Sequence, residues 1–162
     1  MSKGIRPLVP TAFPVPNDLH LAGIRMRPLR LDDLVADFEA VIESRARLRG
    51  LFAADDPWPD GLTIYQNAVD LGWHEKEFQR RSSFAWGLWD GQRQPEEGAY
   101  YLGTAYLYPD PSGEFDAVAV HWIRSRPDLS GILPGFATAW RDWIETAWPF
   151  QKVRFVAPED KA

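Results

Sequence analysis

The sequence predicts an α+β domain in which helices flank a mixed, mostly antiparallel sheet, and three observations predict it. Apolar residues recur at helical spacing in two consecutive stretches of the first half and in a third near the end. Three strand-length runs rich in aromatic and β-branched residues follow one another between them, separated by turn-forming residues. Shorter strand-like runs stand on either side, so the order reads β-α-α-β-β-β-α-β.

The first twenty residues carry Pro7, Pro10, Pro14 and Pro16. Proline lacks the amide donor and clashes with the preceding helical turn, so residues 1–22 read as an extended arm over a single domain at 23–162. The arm has no continuous apolar region of ~7–15 residues and is not a signal peptide. Ile24, Met26 and Leu29 form a short strand broken by Pro28. Asp32 and Asp33 then favour a helix start, and Leu34, Phe38, Val41, Ile42 and Leu48 give one helix from Asp32 to Arg49, closed by Gly50. The run LFAADDPWPDG is a loop holding Trp58 between two prolines. Thr63 and Gln66 have capping-box spacing for a second helix, with Tyr65, Ala68, Leu71 and Phe78 as its stripe.

From Ser83 the period changes. SFAWGLWD ends at Asp90-Gly91, a polar loop QRQPEEG follows, and AYYLGTAYLY runs into a Pro-Asp-Pro-Ser-Gly turn. FDAVAVHWIR alternates, with Val118, Val120 and Trp122 on one face and Ala117, Ala119, His121 and Ile123 on the other. These three strands form an antiparallel meander. Pro134 suits the first turn of a third helix, with Phe136, Ala139, Trp140, Trp143 and Ala147 as its stripe, and Lys152 to Val156 is a last strand.

Composition excludes several classes of function. The 162 residues contain no cysteine, hence no disulfide or thiolate metal site, which fits a cytoplasmic setting. Eighteen Lys and Arg against twenty-three Asp and Glu, a net charge of −5, argue against a broad nucleic-acid surface. No stretch approaches ~18 uninterrupted apolar residues, so no membrane span is expected. His74-Glu75 begins like a metalloprotease helix motif, but Phe78 stands where the second His is needed, and no metal is expected.

Three passages, MRPLRLDDL, YLGTAYLY with its buried glycine, and AVAVHWIR followed by a loop and helix, resemble the GCN5-related N-acetyltransferase (GNAT) family over about residues 23–157. The resemblance implies a GNAT-like fold, here without the usual C-terminal helix and strands, and acetyl-CoA as the acyl donor for a primary amine. In that family pantetheine pairs with the exposed backbone where the fourth strand parts from the fifth, and the diphosphate sits on loop amides at the next helix N-terminus, where free amides and the helix dipole attract an anion. The corresponding residues are Ile123, Arg124, Ser125, Arg126, Ser130, Gly131, Ile132 and Leu133. The family signature is met only in part: with Gly131 as its first glycine, Asp128 stands where Gln or Arg is expected and Leu133 where Gly or Ala is expected. Arg124 and Arg126 are flexible cations that could compensate.

The family's strand glutamate, the general base of many members, aligns with Val118, so His121 is the substitute base and Tyr106 and Tyr108 are candidate acids. The loop at Trp58 borders the acceptor cleft, where Asp55 and Asp56 would suit an amine. The acceptor is a small molecule or a protein amine. A homodimer would cover an open sheet edge. Two alternatives stand beside this reading: a degenerate member that binds a ligand or partner without catalysis, and an unrelated α+β cone fold with an enclosed apolar cavity and no parting of the last two strands.

Overall fold

The computed structural model describes residues 6–92 and 100–160. Six strands form one sheet in sequential order: β1 Leu19–Leu21, β2 Ile24–Pro28, β3 Phe84–Asp90, β4 Tyr101–Tyr108, β5 Ala117–Ile123 and β6 Val153–Val156. Neighbours from β1 to β5 are antiparallel and β5–β6 is parallel, because the α4 crossover, Leu133–Ala147, returns the chain in the same direction. Strand β1 lies within the stretch read from sequence as an arm; three residues are too few for an alternation signal, and the hairpin to β2 closes through Ala22 and Gly23, both at positive φ. Most of the polar loop predicted after β3, residues 93–98, lies outside the described residues, as do residues 1–5 of the arm.

The stretch predicted as one helix over 32–49 is three pieces: a 3-10 turn at Leu31–Asp33, α1 at Leu34–Glu43 and a single turn, α2, at Arg45–Leu48. The break is at Ser44, whose buried hydroxyl accepts the Ser125 amide at 2.9 Å, tying the helix junction to the loop after β5. Helix α3, Ile64–Arg80, begins at the predicted capping box: Thr63 and Gln66 exchange side-chain-to-backbone hydrogen bonds of 3.0 and 3.2 Å.

Alternation sends Phe84, Trp86 and Leu88 of β3 to the face covered by α4, where Trp86 meets Trp140, Trp143 and Trp148 at centroid separations of 5.7–6.2 Å. The described part of the arm lies over this face. Val9 is buried, Phe13 packs on Trp148, and Arg81, which closes α3, donates to the carbonyls of Pro10 and Phe13 at 2.7 Å each. The opposite face, with Ala85, Tyr106, Val120 and Trp122, is covered by α1 and α3. Among the described residues no helix is long and apolar enough to cross a membrane.

One irregularity shapes this second face. Between the pairs Leu88–Gly103 and Trp89–Tyr101 the register gains a residue on β4, a bulge centred on Gly103. A Cβ at Gly103 would fall 2.0 Å from the Trp122 carbonyl oxygen, so only glycine allows β5 to approach. The bulge turns both Tyr101 and Thr104 towards α1.

Candidate active site

The β4–β5 ladder continues to Ile123, but the β5–β6 ladder ends at Val120–Val156. Strand β6 itself ends there and the chain turns away into Pro158–Asp160, so β5 runs on to Ile123 and the two chains part. On the α4 side of the parting is a cavity of about 270 Å³, lined by His121, Leu133, Pro134, Ala137 and Phe155 and closed by the 3-10 turn Pro158–Asp160. On the other side is a cleft of about 530 Å³ bordered by Phe52, Glu77, Tyr108, Val118, Val120 and Arg154. Val156 lines both.

The cofactor-loop residues predicted from sequence gather at the first cavity's far end. Ile123 to Arg126, with Ser130, Leu133 and Arg47 of α2, line a recess of about 230 Å³. Gly131 and Ile132 lie in the turn before α4, and the amides of Leu129, Ser130 and Ile132 are engaged inside that turn. Arg124 and Arg126, expected as flexible cations, are anchored instead: Arg124 is buried and bonds Glu43 and the Tyr101 carbonyl, and Arg126 bonds Glu43 at 2.6 Å. Burial alone would raise Glu43, but the hydrogen bonds and charges of these two arginines hold its carboxyl below the usual range. Arg47 donates to the Ile123 carbonyl at 2.9 Å and to Ser125 Oγ at 3.2 Å, and also pairs with Glu159.

His121 is on the α4 face, 5.5 Å from the Phe136 ring, with Nε2 buried and without a hydrogen-bond partner among the described residues. Burial lowers its basicity; Glu159 and Asp160 oppose that shift. The structure therefore separates His121 from Trp58 and Asp56, which are on the other face.

There a second recess, about 350 Å³, adjoins the cleft and shares Phe52 and Tyr108 with it. Trp58 and Asp56 line it, and Asp56 Oδ1 accepts the Trp58 amide at 3.0 Å; Asp55 is exposed on the turn and does not line it. Its floor is a buried polar network in which Asp37 accepts from Tyr101 at 2.5 Å and Asn67 at 2.8 Å. Burial raises the Asp37 carboxyl, and those hydrogen bonds only partly offset it.

Asp70 and His74 line this recess, and Glu77 lines the cleft. Their i, i+4, i+7 spacing sets them on one face of α3, a pattern the sequence contains but which its apolar stripe obscured. Burial raises Asp70 and lowers His74, while Glu77 nearby opposes the latter shift. Tyr108 rises well above its ordinary value through burial, then through Tyr106, Glu77 and Asp70. Its phenol thus stays protonated at neutral pH.

No family model matches the chain, and neither does any curated protein sequence. Solved structures do. The chain is similar to Mycobacterium smegmatis RimJ in complex with CoA-disulfide (16% identity, 91% of this chain and 69% of that one, TM-score 0.62). It is similar also to the ribosomal-protein-S5-alanine acetyltransferase of Vibrio fischeri (15%, 82% and 69%, 0.59) and to FdhC, a nucleotide-linked sugar GNAT (13%, 87% and 72%, 0.57). The fold is that of the GNAT acetyltransferases, as the resemblance in sequence implied.

Proposed function

We propose that the protein is an N-acyltransferase that passes an acetyl group from acetyl-CoA to a primary amine. The observation that carries this reading is the end of the β5–β6 ladder at Val120 and Val156, with a cavity on each face of the sheet that Val156 borders. Two substrates entering from opposite faces converge there. The α4-side cavity suits a pantetheine arm: its walls are largely apolar, and the buried Nε2 of His121 lacks a partner that an amide could supply. Arg47, Ser125 and Arg126 border the recess and offer side-chain donors for a diphosphate, the amides of Leu129, Ser130 and Ile132 being engaged within the turn. When bound, acetyl-CoA would supply an activated thioester carbonyl.

The chain's own chemistry is on the cleft side. Glu77, held by the Ser83 hydroxyl at 2.5 Å, supplies the carboxylate that Val118 cannot, and accepts the proton that an attacking amine sheds. Tyr108, kept protonated by burial, is the proton donor beside it. His121 then serves the donor side of the parting.

The test is direct. Acetyl-CoA in large excess over its Kd is expected to raise Tm by several degrees, as a ligand that binds only the folded state must, while acetate with adenosine does not. Acetyl transfer to a panel of amines follows. Absence of a shift at millimolar acetyl-CoA overturns the reading.

A further inference from the structure

The recess under Trp58 is not explained by transfer to a single amine. Phe52, Trp58, Tyr106 and Tyr108 give it aromatic walls, with Phe52 within 6.0 Å of each of the other three ring centroids. Asp56 and Asp70 add carboxylates, and no Lys or Arg is among the described residues lining it. Arg80 and Arg154 line the adjoining cleft instead, and Arg49 is held by Asp60 and Arg27 by Asp33. Asp70 makes no hydrogen bond or ion pair among the described residues, and only one oxygen of Asp56 is engaged. His74 Nδ1 is buried without a partner at the same wall.

Ring faces carry partial negative charge, so aromatic walls beside uncompensated carboxylates favour a cation of low hydration. A neutral group gains apolar contact from the rings but nothing from the carboxylates, and an anion is disfavoured by both. We propose that this recess is an ammonium-binding subsite and that the acceptor is an alkyl diamine: one amine is held here protonated, while the other reacts in the adjoining cleft. A protonated amine has no lone pair to attack with, so the group held by Asp70 and Trp58 cannot be the one acylated. The reacting amine belongs beside Glu77, across the shared wall of Phe52 and Tyr108. This rests on the acyltransfer reading for the second amine, but the cation site itself does not.

The experiment keeps the two apart. Choline and its neutral carbon isostere, 3,3-dimethylbutan-1-ol, are titrated into the protein without any acyl donor, with tryptophan fluorescence as readout. The cation is expected to bind at least about tenfold more tightly than the alcohol, and Trp58→Ala and Asp70→Asn each to weaken it about five- to tenfold. Asp70 makes no hydrogen bond or ion pair among the described residues, so its variant is expected to keep the wild-type Tm. Equal binding of cation and alcohol, or unchanged affinity in Asp70→Asn with an unchanged Tm, overturns the site. In turnover, kcat/KM for 1,4-diaminobutane is expected to exceed that for butylamine by about tenfold or more, and Asp70→Asn to remove the preference. Acylation of both amines at equal efficiency overturns the diamine assignment and leaves acyltransfer standing.

Discussion

Tyr101 of β4 donates its hydroxyl to Asp37 of α1 at 2.5 Å, and among the described residues no Lys or Arg pairs with that carboxyl. Both residues are almost fully buried, and Thr104 and Asn67 complete the network. The contact depends on the Gly103 bulge, since strict alternation would send Tyr101 and Thr104, three residues apart, to opposite faces.

Because burial raises the Asp37 carboxyl above its ordinary 3.8, the folded state binds a proton that the unfolded chain has released. Its contribution to stability is therefore complete below about pH 4 and is lost as pH rises through the folded value. Asp37→Asn cannot ionise, and its amide can offer oxygen to Asn67 and its NH2 to the Tyr101 oxygen. The stability deficit of this variant is expected to shrink from pH 4 to pH 8 in denaturant titrations; a constant difference would contradict the assignment. Asp37→Leu, which orphans a buried amide and strains the Tyr101 hydroxyl, is expected to cost about 3 kcal/mol.

Gly103→Ala tests the bulge. The added methyl would meet the Trp122 carbonyl, which is backbone and cannot swing aside, so β4 and β5 must separate. A loss of about 4 kcal/mol or more, or failure to fold, is expected by urea denaturation. A variant within 1 kcal/mol of wild type would show that the bulge moves freely.

Much of this architecture was legible in the residues. The Thr63–Gln66 cap, the Val118–Val120–Trp122 face and the crossover after Arg124 are local patterns, and each is where periodicity places it. What was not legible depends on long-range geometry. The helix is interrupted at Ser44, whose hydroxyl serves Ser125, eighty-one residues away, and Gly103 lies where β5 leaves no room for a Cβ. Arg124 and Arg126 look like free cations until the fold sets Glu43 between them. Trp58 and Asp56, read from sequence as bordering an acceptor cleft, line the recess on the α3 side, whereas the shared helix face of Asp70, His74 and Glu77 was concealed by the apolar stripe of α3.

Arg47 spans the end of β5 and the last described turn, holding the Ile123 carbonyl and Glu159 together. In the proposed function it is also a donor for the diphosphate, so Glu159 and the cofactor compete for one guanidinium. Arg47→Ala is expected to weaken CoA about tenfold, in line with one charge-assisted hydrogen bond, and Glu159→Gln to tighten it. Calorimetric titration of CoA into both variants decides the matter. Weaker binding by Glu159→Gln, or unchanged binding by Arg47→Ala, would remove Arg47 from the donor site.

Glu77 and His121 make opposing predictions as bases. Glu77 is in the cleft with Val118 and Tyr108, whereas His121 is packed on Phe136 on the far face and burial lowers its basicity below the ordinary 6.5. Replacing a base that acts in the chemical step removes about 10²- to 10⁴-fold in rate. Glu77→Gln is therefore expected to lower kcat at least about a hundredfold with KM for the donor little changed. His121→Phe, which fills the same space, should keep kcat within about threefold and shift the donor's KM instead, because its ring borders the α4-side cavity. If His121 were the base, His121→Phe would show the large kcat loss, and the low-pH limb of wild-type kcat, which a histidine lowered by burial sets below pH 6.5, would disappear with it. Steady-state kinetics of the two variants between pH 5 and 9 distinguish these outcomes.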